Sequence, residues 1–340
     1  MTTQPLSLGI LGCGDFLRWM APALLASTGI RVAAVFDPAH ERASHHAARL
    51  GARVAPSASA LIEDRGIDVV ALFVPPWIRL ELVRACVAAG KPIIATKPLA
   101  STLEQAEEIA AMVGDRVRFG VIYSRTEDAW VETLKHVLEK GALGKLALYK
   151  QDWIHHYPQW NSWATDPVKN GGPFLDAMVH NLNAARYLMG RPVTGATWFS
   201  DNHAHPQLAC RDTEFMKVDF ADRGSAHLFI TWAADLAVHS TEGNDREHID
   251  QLFLVTDQGW LIRRGQAPDG SRAVHATRHG EERLFAVAPP RMTPFDLFAE
   301  SLRTGAPNPR TLPTVQDALV DIRLVRSLDR QPFSQLAWPA

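Results

Sequence analysis

The stretch LSLGILGCGDFL, residues 6–17, decides the fold. It joins an apolar run of strand length to a turn carrying Gly12 and Gly14, and a helical pattern through Leu17–Ser27 follows. The same rhythm then repeats. RVAAVF leads to a helical pattern through His40–Leu50, DVVALFV to one through Leu80–Ala89, and PIIAT to one through Thr102–Val113; RVRFGVIY closes the series. Strands that are apolar throughout must be covered on both faces, which predicts a parallel, doubly wound sheet of Rossmann type over residues 1–123. Gly90, after VRACVAA, suits a helix stop.

Beyond Arg125 the rhythm changes. A helix at about 127–140 precedes the strand-like LALYKQDWIHHY, and further strands are expected at 193–200, 214–221, 225–233 and 250–256. Tight turns such as FADRGSA between consecutive strands indicate antiparallel pairing. Helical patterns at 293–303 and 313–328 finish the chain. The expected architecture is α/β, with a nucleotide-type domain over 1–123. An α+β domain over 124–340, built on an open, mainly antiparallel sheet, would bind substrate and mediate oligomerisation.

Charge excludes several partners. With 35 basic and 37 acidic residues the net charge is -2, so neither nucleic acid nor an anionic membrane is favoured. Cys13, Cys86 and Cys210 are far apart and form no C-x-x-C pair, which suits a reducing compartment. The start of the chain lacks a basic n-region, and no run approaches the ~20 apolar residues of a membrane span. A cytoplasmic location is expected.

A G-x-G between a strand and a helix lets backbone approach a pyrophosphate at exposed N–H groups. Gly12, Gly14, Asp15 and Phe16 make up this loop, although Leu17 stands where a third glycine is usual. Asp37 ends the second strand, where a carboxylate accepts the adenosine ribose hydroxyls and repels a 2′-phosphate; this favours NAD over NADP. The plainer role for Asp37 is a cap before AHERA. Asp15 is awkward beside a pyrophosphate unless it points away.

Two other places carry titratable groups. Lys97 lies just past PIIAT, at the carboxyl end of a parallel strand, where open α/β sheets bind ligands. In GGPFLDAMVHNLNAARYLMG, residues 171–190, Pro173 suits the first helical position and Gly190 the stop. A 3.6-residue period puts Phe174, Met178, Leu182, Ala185 and Met189 on one face. Asp176, His180, Asn183 and Tyr187 fall on the other, which by pattern alone reads as a solvated stripe.

Over residues 6–330 the chain resembles the Gfo/Idh/MocA oxidoreductase family, through GILGCG, VFDPAHERA, FVPP, AGKPIIATKPLA, EKGALGKL and the 171–190 helix. The resemblance implies a reaction centre of Lys97, Asp176 and His180, meeting at the substrate carbon. It implies cofactor contacts at Gly12, Gly14, Asp15, Phe16, Asp37, Pro75, Thr96 and Lys97. Thr96 replaces a common glutamate, and Arg79 stands where a histidine is frequent. The implied substrate is a sugar or cyclic polyol, oxidised by NAD with His180 as base, Asp176 orienting it or sharing the sugar hydroxyls, and Lys97 holding the reacting oxygen. Two alternatives remain: transient oxidation by tightly held NAD that enables glycoside cleavage or elimination, and a sensor that binds NAD or sugar without turnover.

In YKQDWIHHYPQWNSW, residues 149–163, Trp153, His155, Tyr157 and Trp163 are candidates to stack on a sugar, or else to pave a sheet face. DNHAH, residues 201–205, places Asp201, His203 and His205 at period two; a polar strand end is expected there, and no metal site. An open antiparallel sheet needs a cover, so a homodimer or homotetramer is expected.

Overall fold

The computed structural model describes residues 4–126, 128–159, 163–236, 249–289, 292–328 and 333–337. The chain divides into two compact units, Met1–Tyr123 with Arg291–Ile322, and Ser124–Pro290 with Arg323–Ala340.

In the first unit the strands are β1 (Leu6–Leu11), β2 (Ile30–Phe36), β3 (Arg53–Val54), β4 (Val69–Leu72), β5 (Ile93–Thr96) and β6 (Phe119–Ile122). The helices between them are α1 (Asp15–Ala26), α2 (His40–Leu50), α3 (Ala58–Glu63), α4 (Arg79–Ala88) and α5 (Leu103–Val113). All strand pairs are parallel, in the order β3-β2-β1-β4-β5-β6. Every residue of β4, β5 and β6 is buried, as expected of strands covered on both sides. The order reverses between β1 and β4, the switch point where such sheets open a crevice at the strands' carboxyl ends.

Residues 291–322 were expected in the second domain, but they fold with the first. Phe295, Phe298 and Ala299 of the helix Pro294–Thr304, together with Leu312, join the core cluster formed by Leu8, Ile10, Val32, Val35 and Phe73. Asp296 fastens this helix. One carboxylate oxygen accepts from the Ser27 hydroxyl (2.7 Å), the Thr28 N–H (2.9 Å) and the Gly29 N–H (2.7 Å). The other accepts from the Thr293 N–H (3.1 Å) and hydroxyl (2.7 Å), closing a capping box.

The second unit holds α6 (Ala129–Glu139), β7 (Leu146–Ile154), a π-helical turn (Phe174–Met178) running into α7 (Val179–Met189), β8 (Val193–Asp201), β9 (Thr213–Phe220) and β10 (Ser225–Thr231). There follow β11 (Ile249–Thr256), β12 (Leu261–Gln266), β13 (Arg272–Arg278), β14 (Glu281–Ala286) and, after the first unit's α8 (Pro294–Thr304), α9 (Val315–Arg326), which ends in this unit, and β15 (Phe333–Ala337). These nine strands form one sheet, ordered β14-β13-β12-β11-β7-β10-β9-β8-β15. All pairs are antiparallel except β7 with β10. Strands β12 to β14 were not foreseen; their exposed Arg263, Arg264, Glu281 and Glu282 hide the alternation. On one face Trp198, Met216, Leu228 and Ile230 are buried. Phe174 meets Trp198 edge-on at 5.1 Å there.

Candidate active site

At the end of β1 the glycine loop is shaped by crowding on one side and space on the other. Gly12 has φ +98°, and a Cβ there would lie 2.3 Å from the Phe73 carbonyl oxygen. Only glycine fits. A Cβ at Gly14 would meet nothing within 4 Å, so the backbone entering α1 has clear space beside it. Leu17, in place of a third glycine, is fully buried in the core. Phe16 packs edge-on against Phe73 at 4.9 Å. Asp15 is exposed and pairs with Arg18 at 3.3 Å, which offsets its charge.

Asp37 faces this loop. Its carboxylate accepts the Cys13 N–H (2.9 Å) and the Ala39 N–H (2.8 Å), and pairs with the exposed Arg42 at 3.0 Å. It thus closes the turn before α2 and braces the glycine loop together. The Cys13 thiol beneath is pushed up to about 12 by burial and then by Asp37, so it stays a neutral filler. Clear space at a helix start and a nearby ribose-type acid fit a dinucleotide.

Lys97 follows β5 and is half-buried; its backbone N–H bonds the Ile122 carbonyl at 3.4 Å. Thr96 before it is buried, and Pro75 opens the turn after β4. Arg79 joins these two loops. Its guanidinium is wholly buried and donates to the Pro98 carbonyl, to Leu99 O (3.2 Å) and to Val74 O (2.7 Å). Burial pushes it down to about 9, with the Tyr123 hydroxyl opposing, so it remains a cation at neutral pH. A histidine lacks the donors for three carbonyls, which accounts for arginine here. The sequence suggested no such clamp.

In the second unit, Asp176 and His180 stand on a helix that departs from the expected pattern. Asp176 lies in the π-helical turn, not a regular α turn, so the 3.6-residue sector does not hold at the start. The helix is also not solvated on its polar side. Asn181 and Asn183 are buried with Val179, Leu182 and Leu188, while Asp176, His180 and Tyr187 are half-buried. Gly171 (φ +90°) and Gly172 (φ +123°) bring the chain in. A Cβ on Gly171 would meet the Arg326 guanidinium at 2.7 Å.

Each side chain has a distinct anchor. The Asn170 amide donates to Asp176 Oδ1 at 3.2 Å, and Arg326 holds the Asn170 carbonyl at 3.0 Å. The buried Glu214 of β9 accepts the Phe174 N–H at 2.6 Å, fixing the start of the π turn. His180 presents Nδ1 to Ser124, 3.3 Å from its N–H and 3.2 Å from its hydroxyl. Neither Glu214 nor Ser124 was singled out from the sequence, and no motif marks them.

The aromatic segment splits. Trp153 lies under the Arg125 guanidinium (5.3 Å) and meets His155 edge-on at 5.5 Å. Arg125 also pairs with Asp250 at 2.8 Å. His155 is buried and directs Nδ1 to the His156 carbonyl at 2.6 Å. Tyr157 instead joins His156 (4.2 Å) and His205 (4.9 Å), packing on Ala164, Cys210 and Trp232. The Cys210 thiol is pushed up to about 12, by burial first and then by Glu214, with Asp212 and Asp176 adding to it, so this cluster neighbours Asp176. Trp163 is half-buried; Trp160 lies outside the described residues.

At DNHAH, β8 ends at Asp201. The loop beyond wraps the buried Asp212, which accepts N–H groups from His203 (2.9 Å), Ala204 (2.8 Å) and His205 (2.9 Å). Burial alone would raise its carboxyl; these N–H groups and the Thr213 hydroxyl outweigh that and hold it below the usual range.

The description "Oxidoreductase family, NAD-binding Rossmann fold" matches residues 6–122, and "GFO/IDH/MocA C-terminal domain" matches residues 131–244. The chain belongs to the Gfo/Idh/MocA oxidoreductase family. It is 30% identical over 224 residues to inositol 2-dehydrogenase 2 of Saccharopolyspora erythraea, covering 63% of each chain. It is 31% identical over 207 residues to levoglucosan dehydrogenase of Pseudarthrobacter phenanthrenivorans, covering 55% of this chain and 52% of that one. Both matches span less than two thirds of the relative's length. In fold, this family member is similar to an inositol dehydrogenase homologue of Azotobacter vinelandii complexed with NAD+, with a TM-score of 0.81, 14% identity and coverage of 99% and 98%.

Proposed function

We propose that this chain is an NAD-dependent dehydrogenase acting on a secondary alcohol of a sugar or cyclic polyol. The observation that carries the reading is that Asp176 and His180 are half-buried on a helix whose Asn181 and Asn183 are buried, and the family resemblance implies these two and Lys97 as the reaction centre. The relatives named as dehydrogenases of inositol and levoglucosan support this substrate class. NAD, when bound, would supply the hydride acceptor; Gly12, Gly14, Asp15 and Phe16 would hold its pyrophosphate, Asp37 its adenosine ribose, and Pro75, Thr96 and Lys97 its nicotinamide end.

In this reading His180 takes the hydroxyl proton at Nε2 as the alcohol is oxidised, since imidazole titrates near neutrality. Asp176, held by Asn170, shares the substrate hydroxyls. The Lys97 ammonium stabilises negative charge on the reacting oxygen. Of the aromatic candidates, the half-buried Tyr157 and Trp163 are left to face the ring, since His155 is buried and Trp153 lies under Arg125.

Purified protein with NAD and a panel of monosaccharides, inositols and glycosides, followed for NADH and products together, tests the proposal. NADH formation on a panel member is expected. His180→Ala lowers turnover by ~10² or more with NAD affinity retained, and Lys97→Ala lowers turnover at saturating NAD as much. Wild-type turnover in either variant rules out the assignment.

We place the enzyme in the cytoplasm, a reading supported by three free, buried cysteines. Among the described residues, no helix is long and apolar enough to cross a membrane. A homodimer or homotetramer is proposed through the sheet face opposite Trp198, where Phe199, Phe215 and Phe229 adjoin in register and none is fully buried. Phe215→Arg is expected to yield monomers in light scattering; a monomeric parent protein contradicts the assembly.

A further inference from the structure

The atoms beside His180 limit what its ring can do. Nδ1 lies 3.3 Å from the Ser124 N–H and 3.2 Å from the Ser124 hydroxyl oxygen. A backbone N–H only donates, so Nδ1 facing it is an acceptor, and the neutral ring then carries its proton on Nε2. A ring protonated at Nε2 has no lone pair there to receive a substrate proton. The base-competent form needs the proton on Nδ1 instead. On the Ser124 side, only the hydroxyl oxygen can accept that proton.

We infer that Ser124 is the positioning residue of the His180 base. Its N–H favours the resting tautomer, and its hydroxyl, which both donates and accepts, makes the base-competent tautomer accessible. This inference rests on the proposed role of His180. In the oxidation step the substrate O–H bond breaks and an Nε2–H bond forms. NAD, when bound, would accept the carbon's C–H electron pair as hydride, leaving the alcohol as a carbonyl. The resulting imidazolium keeps Nδ1–H directed at Ser124 Oγ, and after product release Nε2–H returns its proton to solvent. The hydroxyl's part is comparable to that of the third member of a catalytic triad only in offering Nδ1–H an acceptor in the working tautomer. Here a hydroxyl serves in place of a carboxylate. Ser124 is exposed, so its side chain can be changed without opening a core.

Two measurements test this. In full-length protein with 15N-labelled histidine, the His180 ring, assigned by difference against His180→Gln, should show Nε2–H as its main neutral form. Ser124→Ala should remove the remaining Nδ1–H population, and Ser124→Thr should restore it. A ring protonated at Nδ1 in the wild type, or a tautomer balance indifferent to the hydroxyl, overturns the inference. In kinetics with NAD and the best inositol or monosaccharide of the panel, Ser124→Ala should lower kcat by roughly 10²-fold with KM changed by about twofold at most, and Ser124→Thr should recover most of it. Full turnover in Ser124→Ala alongside an inactive His180→Ala removes Ser124 and leaves the base intact. Full turnover in His180→Ala removes the function beneath it. Equal losses in the alanine and threonine variants, without a tautomer change, also count against Ser124.

Discussion

Replacing Asp296 with alanine should loosen the nucleotide unit, and the size of the effect follows from its contacts. The side chain accepts five hydrogen bonds, three from the Ser27–Gly29 turn and two from Thr293. Losing the capping box costs about 1 kcal/mol, and leaving the part-buried turn N–H groups without an acceptor adds about 1–3 kcal/mol for each group. Bonds that share one oxygen do not add fully, so a total of about 4 kcal/mol is expected. Asp296→Asn should lose about half as much, because its single amide oxygen can still serve the turn while its NH2 opposes the Thr293 N–H. Burial tends to raise the Asp296 carboxyl, but Thr293, Ser27 and Gly29 hold it below its ordinary value. Its contribution is therefore complete above the unfolded value of about 3.9 and is lost as pH falls through the lower folded value. Hydrogen exchange at the Leu8, Ile10, Val32 and Val35 amides reports the opening of this unit. An opening free energy within about 0.5 kcal/mol of wild type would refute the reasoning. So would a deficit in Asp296→Ala that stays constant between about pH 6 and pH 3, since it should shrink as the wild-type carboxylate protonates.

Asp37→Ser leaves Arg42 without its carboxylate, so NAD should bind about tenfold more weakly and NADP more tightly; calorimetric titration of both cofactors checks this. Unchanged discrimination means that Asp37 does not face the ribose. Arg79→Met deprives the carbonyls of Val74, Pro98 and Leu99 of their shared donor, for a loss of about 3 kcal/mol in denaturant unfolding. Arg79→Lys should recover only part of it, since one ammonium cannot reproduce the planar fork. A fully stable methionine variant excludes the clamp.

What could be read in advance follows physical lines. β1, β4 and β5 were legible because strands buried on both faces must be apolar throughout, and Gly12 because the tight strand-to-helix turn needs its positive φ. Helix α8 was legible as a helix but not by location: its pattern shows that Phe295 and Phe298 need burial, not against which sheet. Strands β12 to β14 were hidden by charge on exposed positions. The π turn around Asp176 has no composition of its own, since it differs from an α turn only in hydrogen bonding. At DNHAH the strand ends at Asp201, and the backbone N–H groups of His203, Ala204 and His205 turn onto Asp212. Lys97, Asp176 and His180 are proposed through the resemblance, whereas Ser124 and Glu214 emerge only when distances are known.

The late return of residues 291–322 to the first unit has a consequence for biosynthesis. At about 5–20 residues per second, the ribosome needs roughly 10–40 s to travel from Tyr123 to Ile322. Throughout that interval the nascent Rossmann half lacks Phe295, Phe298 and Leu312, and presents bare the surface they will cover. Chaperone engagement should therefore peak on ribosome-bound chains of intermediate length and fall once α8 has emerged.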